Sequence, residues 1–331
     1  MVVGETVIVP TCTATDDIDS NPECGYTGTF DNTQVGTYTI TFVATDETGN
    51  QSTLNKTYTI TETPIEEPLD PGTPTGYYNS AENQTGFTLL SSLKTIISGH
   101  TITSYTNTSD KLINIDADLN DPTKVYTIYS GTPVNGGWDG GTTWNKEHVW
   151  PQSSYDEASP MVSDMHQLRA SVPSVNSLRN NNYFGTTSST SGLYHYESFT
   201  FYPGDEHIGD VARILLYMAT RYYDEGLRLT KDNSGTTVRD AKELGDIDNL
   251  LAWHIADPVD AFEIQRNNRI YSEQNNRNPY IDRPDFFESV YQYLLGLAEQ
   301  QALQVAFYEK AVTDYQTLSV TYVPTYDQKQ L

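Results

Sequence analysis

Between residues 63 and 75, Pro64, Pro68, Pro71 and Pro74 are interleaved with Glu66, Glu67 and Asp70, and this segment decides what the rest of the chain can fold into. Proline locks φ and has no backbone donor, so neither a helix nor an inner strand runs through four of them. The like charges stretch such a segment into an extended, semi-rigid spacer. The chain is therefore expected to fold as two units, 1–62 and 76–300, joined by the spacer 63–75. At 331 residues it is long for one domain, which fits that division. The remainder, 301–331, is a C-terminal extension. It is readable as a helix up to about Tyr315, then as a strand through Leu318, Val320 and Tyr322.

Upstream of the spacer the pattern has period two. Thr37-Tyr38-Thr39-Ile40-Thr41-Phe42-Val43-Ala44 and Lys56-Thr57-Tyr58-Thr59-Ile60 alternate across the turn cluster Thr45 to Asn50, which predicts β-structure. The run Gly36-Thr37-Tyr38-Thr39, then Ala44-Thr45-Asp46 and Gly49-Asn50, resembles bacterial immunoglobulin-like surface modules of the hyalin-repeat kind. That resemblance implies a small all-β immunoglobulin-like sandwich, used as a spacer and associating the protein with a cell surface or wall. The module's first strand has no counterpart, so the unit is expected to be incomplete and the sequence to be a piece of a longer chain. The two cysteines, Cys12 and Cys24, lie in this unit with no second Cys or His pair nearby to make a zinc site. They are a disulfide candidate, closing a short loop worth about 3 kcal/mol, with two free thiols as the alternative.

Downstream the spacing becomes helical. Phe87, Leu89, Leu90, Leu93, Ile96 and Ile97 mark a helix over 86–98, and Gly209 to Tyr222 reads as an apolar, core-forming helix. Further helices are expected over 248–254, 258–272 and 285–298, with a structured turn at 276–282. Lys124 to Tyr129 is a short strand leading into the glycine-rich run Asn135 to Gly141. These elements predict an α+β domain with mostly helical surroundings. No apolar run approaches the roughly 18 residues a membrane helix needs, so no membrane insertion is expected.

The formal charge of −25 constrains partners. Residues 1–74 hold twelve acids against Lys56 alone, and the remainder is also acidic. A nucleic-acid partner normally meets a basic surface. Any such contact here must use a local cluster of arginines and a metal ion, giving weak, salt-sensitive binding without sequence preference.

Chemistry concentrates in Trp144-Asn145-Lys146-Glu147-His148-Val149-Trp150-Pro151 and in Asn176-Ser177-Leu178-Arg179-Asn180-Asn181-Asn182. A carboxylate such as Glu147 suits Mg²⁺ or Ca²⁺, and a histidine such as His148 accepts a proton from water near neutrality. Asn176 and Arg179, three apart, share a face if the segment is helical, offering an amide oxygen and a guanidinium. Asp164 and His166, two apart, read either as a carboxylate orienting an imidazole or as a buried hydrogen-bonded pair. Taken singly, each of these pairs has a purely structural reading.

Taken in order, these segments, with Asp164-Met165-His166-Gln167-Leu168-Arg169, Gly209 to Arg213, Trp253 to Val259, Glu263 to Asn267 and Asn276 to Asp282, resemble the bacterial endonuclease I family over about residues 76–298. The resemblance implies a ββα-metal nuclease, secreted or periplasmic, cutting DNA and also RNA to 5′-phosphate products. By that similarity His148 is the general base, and Glu147 and Asn176 hold one hydrated Mg²⁺, with Ca²⁺ or Mn²⁺ as substitutes. Some relatives take a phosphate-binding arginine from the loop after the histidine. Here Gln152 to Val162 contains none, so Arg179 or Arg169 is expected in that role, with Asp164, His166 and Asn182 in support. Arg266, Asn267, Arg269 and Arg277 read as members of buried networks, or alternatively as a groove for nucleic acid. The expected protein is a monomeric, extracellular or surface-associated enzyme. The competing readings are a surface adhesion protein using a catalytically weak nuclease fold, and a zinc site built from His148 and His166.

Overall fold

In the computed structural model the chain divides into two compact units, Met1–Glu67 and Pro68–Leu331. The structure describes Cys12, Ala14 and residues 22–29, 31, 33–60, 72–189, 192–231, 242–245 and 247–300. The expectations for the 301–331 extension and for most of the spacer fall outside these residues.

In the first unit β1 (Glu23–Thr27), β2 (Gly36–Thr45) and β3 (Gln51–Ile60) form one antiparallel sheet in the order β1-β2-β3. Its register pairs Tyr38 with Tyr58 and Ile40 with Lys56. The β2–β3 turn is built by Asp46, whose carboxylate accepts from the backbone N–H groups of Thr48 and Asn50 at 2.9 and 2.8 Å and so imitates a backbone turn. Ile40 and Ile60 are its buried apolar side chains among the described residues. Cys12 and Cys24 are joined by a disulfide, with Cα atoms 5.5 Å apart. The second sheet that a sandwich requires is not among the described residues.

The second unit runs through α1 (Gly86–Ile97), α2 (Thr108–Ile115), β4 (Lys124–Thr127), β5 (Thr132–Asn135), β6 (Asn145–His148), β7 (Leu168–Ser171) and α3 (Pro173–Arg179). Then come β8 (Tyr183–Phe184), β9 (His195–Glu197), β10 (Thr200–Tyr202), α4 (Ile208–Arg221), α5 (Leu250–Ala256), α6 (Ala261–Gln274) and α7 (Pro279–Asp282), followed by helical residues 285–300. It is a mixed α+β domain, as expected. Every residue of α4 is buried: its apolar side chains join the main core, and Asp210, Arg213 and Arg221 are buried in ion pairs. Leu89, Leu90, Leu93 and Ile97 of α1 and Val290 and Leu294 of the last helix complete that core. Gly209 admits the close approach at the start of α4: a Cβ there would lie 2.0 Å from the Asp257 carbonyl oxygen.

Polar residues near α4, α6 and α7 are also buried, and three arginines among them are matched by carboxylates. Arg213 donates to both carboxylate oxygens of Glu263 (2.8 and 2.5 Å). Arg277 does the same to Asp282 (2.6 and 2.7 Å), and Arg266 donates to Asp116 at 2.7 Å. With the bonds of Asn267 to Asp282 (2.8 Å) and of Arg269 to the Ala117 carbonyl (2.7 Å), they make Arg266, Asn267, Arg269 and Arg277 scaffold rather than groove.

Helix α6 begins with a capping box, in which Asp260 accepts from Glu263 N and Glu263 reaches back to Asp260 N.

The hairpin β6–β7 lies between two apolar clusters. Trp144, Leu168 and Ala170 pack with Leu112, Ile115, Val125, Met165 and Ile270, whereas Val149, Trp150 and Val175 join the main core. Two antiparallel strands followed at once by α3 are thus clamped from both sides. That rigidity positions the site.

Candidate active site

Strand β6 ends at His148, and Pro151 cannot donate to a continuing ladder. Helix α3 starts on Pro173, where a missing N–H costs nothing. It stops where Asn180 takes a positive φ of 49°. The Asn182 amide then donates to the terminal carbonyls of Leu178 (3.2 Å) and Arg179 (2.7 Å). Asn182 therefore serves as a helix-end cap. Between β6 and α3 opens a cleft of about 300 Å³, whose lining includes Asn145, Lys146, Glu147, His148, Asn176 and Arg179.

Glu147 is 3% exposed. Its Oε1 accepts from the Tyr129 hydroxyl at 2.8 Å and lies 3.4 Å from Arg179 Nε. Burial pushes its carboxyl up to about 7, against the pull of Arg179 and Tyr129. No hydrogen bond from the described residues reaches Oε2.

Burial pushes the neighbouring imidazole of His148 down to about 4, so the ring is neutral at pH 7. Its Nε2 lies 2.9 Å from the Val162 carbonyl oxygen. A carbonyl only accepts, so this bond assigns the proton to Nε2 and leaves the lone pair on Nδ1. Asn176 anchors through its amide nitrogen, which donates to Asn145 Oδ1 (2.9 Å) and the Lys146 carbonyl (3.2 Å). The amide oxygen takes no hydrogen bond from the described residues.

The two arginines part company. Arg179 reaches the cleft wall, but its Nη2 donates to the Val149 carbonyl (2.6 Å) and its Nη1 to the Asn180 carbonyl (2.7 Å). The guanidinium also lies over the Phe184 ring, 4.5 Å from its centroid. It braces Glu147 more than it faces a substrate. Arg169 does not reach the cleft at all, and the expectation of a phosphate contact there is corrected. Although register sets it opposite Glu147, it is 1% exposed and its Nη1 donates to Asp210 at 3.0 Å.

Asp164 and His166 also lie outside the cleft. Asp164 accepts from the hydroxyls of Tyr217 (2.9 Å) and Tyr222 (2.8 Å) and from Gln274 (2.9 Å), and burial drives the His166 ring down to about 3. Both are buried, but Asp164 takes the backbone N–H of His166 (2.9 Å), and the imidazole Nε2 lies against the Asn276 carbonyl (3.3 Å). Asp164 N also donates to the Met161 carbonyl, so the pair pins the turn that presents Val162 to His148. Among the described residues no three His, Cys, Asp or Glu side chains come together as a metal cluster, which leaves the His148–His166 zinc reading without a ligand set.

Sequence reasoning missed Lys146, Tyr105, Tyr129 and the Val162 carbonyl. Lys146 could have been found from its place beside Glu147. The others come from distant segments and carry no local signal.

The chain belongs to the endonuclease I family: the family model described as Endonuclease I matches residues 85–285. It is accordingly a hydrolytic nuclease. An extracellular ribonuclease of Bacillus subtilis (strain 168) is 38% identical over 224 residues, covering 65% of this chain and 78% of that protein. An extracellular ribonuclease of Bacillus amyloliquefaciens is 37% identical over 225 residues, with the same coverage. An extracellular deoxyribonuclease of Aeromonas hydrophila is 29% identical over 136 residues, 39% of this chain and 52% of that protein. In keeping with these relatives the protein is secreted.

Proposed function

We propose that the protein is an extracellular endonuclease that hydrolyses phosphodiester bonds of RNA and DNA to 5′-phosphate products, with one hydrated divalent cation and little sequence preference. The observation that carries this reading is the meeting of Glu147, His148 and Asn176 on one cleft, delivered by a strand–strand–helix unit. That unit suits a ββα-metal site. The uncommitted oxygens, Glu147 Oε2 and Asn176 Oδ1, form a hard donor set that fits Mg²⁺, with Ca²⁺ or Mn²⁺ in its place. Two protein ligands leave most of the shell to water, as Mg²⁺ prefers. When bound, the cation neutralises charge developing on the phosphate and the leaving 3′-oxygen.

The protein's own groups do the rest. The Val162 carbonyl holds the His148 ring so that Nδ1 can take a proton from the attacking water. Tyr129 and Arg179 hold Glu147 from one side and keep its second oxygen turned to the cleft. The side-chain amides lining the cleft both donate and accept, so they fit any base edge and select none strongly. The N-terminal sheet is read as an immunoglobulin-like module that tethers a monomeric enzyme at a cell surface.

The test is digestion of plasmid DNA and of a long RNA with Mg²⁺, Ca²⁺ or Mn²⁺, with and without chelator, beside His148→Ala. Wild type is expected to cut only with a metal, and the variant to be slower by about 10²–10⁴-fold. Wild type that leaves both polymers intact with every ion would defeat the reading. A variant as fast as wild type would remove His148 from its role.

A further inference from the structure

We infer that Tyr105, backed by Lys146, is a stacking platform at the lip of the cleft that takes the base of an unpaired nucleotide, making single-stranded nucleic acid the preferred substrate. The inference deepens the nuclease reading and rests on it.

The first argument is a shortage of cations. Of the residues lining the cleft only Lys146 and Arg179 are positively charged. Arg179 is 1% exposed and committed to Glu147 and two carbonyls. Lys146 has no carboxylate partner among the described residues; its Nζ donates to the Tyr105 carbonyl (2.8 Å) and to Thr108 Oγ1 (3.3 Å). A duplex offers a protein chiefly its phosphate edges, and holding it takes several such cations. Here one is available, on a chain of net charge −25.

The second argument is what the lip offers instead. Lys146 Nζ sits 3.5 Å from the centroid of the Tyr105 ring and 5.9 Å from that of Trp138. The His148 ring is 5.4 Å from Tyr105. Lys146 and His148 are two apart on β6 and project from one side of the strand, so they back the tyrosine from that side. Tyr105 is nevertheless 37% exposed. An exposed aromatic next to the imidazole, with a cation beside it, is the pairing that binds unpaired nucleotides: the ring takes a base of any sequence and the ammonium takes its phosphate. Bases in a duplex are stacked on each other and unavailable.

The test is binding with chelator present, so that nothing is cut. A fluorescent 12-mer DNA strand, its duplex and a 12-mer abasic at every position are titrated by anisotropy against wild type, Tyr105→Ala, Tyr105→Phe and Lys146→Gln. Expected results are a tenfold or greater preference for the single strand and a loss of about tenfold in Tyr105→Ala for that strand alone. Tyr105→Phe should retain binding, and a strand abasic at every position should reproduce the loss with wild-type protein. Lys146→Gln should weaken strand and duplex alike. The salt slope for the single strand should be about one, shallower than the salt-sensitive binding expected from composition. Equal binding of strand and duplex, a Tyr105→Ala variant equal to wild type, or a slope above about three would overturn the inference. Cleavage by wild type in Mg²⁺ is scored separately. Stacking without cleavage defeats the nuclease reading, and cleavage without stacking defeats only the platform.

Discussion

The cleft between β6 and α3 and the buried network around Asp164, His166, Arg277 and Asp282 are made of the same residue types: carboxylates, histidine, arginine and asparagine. In sequence Asp164 and His166 of the second stand among the site candidates just as Glu147 and His148 of the first do. They differ in what is left over. Asp282 accepts from Tyr78, Asn267 and Arg277, the last through two nitrogens, and is 2% exposed. Asp164 is likewise saturated. Glu147 and Asn176 each keep an oxygen unspent beside a cavity. A closed network fixes helices, whereas an incomplete one on a cleft can bind and react. Chemistry here follows unsatisfied valence more than residue identity.

Three measurements sharpen that contrast. The largest effect is expected from Glu147→Gln, which keeps the shape but removes a charged ligand. Cleavage in Mg²⁺ should fall by about 10²-fold or more, since a bound metal contributes several kcal/mol to the transition state. Its thermal midpoint should hold or rise, because burying a carboxylate is costly. A large drop in stability with activity intact would erase the distinction between the two regions. Next is Arg277→Met, which leaves Asp282 buried without its guanidinium. Chemical denaturation should show a loss of about 3–5 kcal/mol, with the turnover of folded enzyme kept.

The smallest effect concerns pH. His166, facing Asp164, Arg266 and His100, is held down to about 3 by burial, and His254 likewise to about 3. The unfolded chain binds these protons near pH 6.5 and the folded one does not. Stability is therefore full above about pH 6.5 and falls as pH drops toward 3, by up to about 1.4 kcal/mol per unit for each ring. His166→Gln should flatten the slope of thermal midpoint against pH between 6.5 and 4.5. An unchanged slope would mean that the ring is not held neutral.

Much of this was legible in the sequence where the cause is local. The period-two runs gave β2 and β3, although each strand extends beyond the run that marked it, and β1 had no alternation to announce it. The apolar stretch after Gly209 gave α4, and the helical spacings gave α1, α6 and the last helix. Short α2 and α7 were missed because eight and four residues carry too little periodicity. In the site, Glu147, His148 and Asn176 came from the family resemblance, since each pair alone is a common structural combination. Arg169 misled because a strand's sequence does not say which partner across the sheet, here Asp210 on α4, will claim its side chain. Tyr129 and Tyr105 were invisible because they are brought in by tertiary packing from 18 and 43 residues upstream of Glu147 and His148.

The grip on His148 comes from a main-chain oxygen, that of Val162, and not from any side chain. No point substitution can delete a carbonyl, so the orientation of the imidazole is insulated from most single-residue changes in 152–162. It has no such protection against a change in length. Inserting or removing one residue there would shift the carbonyl and free the ring to exchange its tautomers. For anyone engineering this enzyme, the exposed positions of the loop are open, Ser154, Tyr155 and Met161 are tied to the interior, and the residue count is fixed.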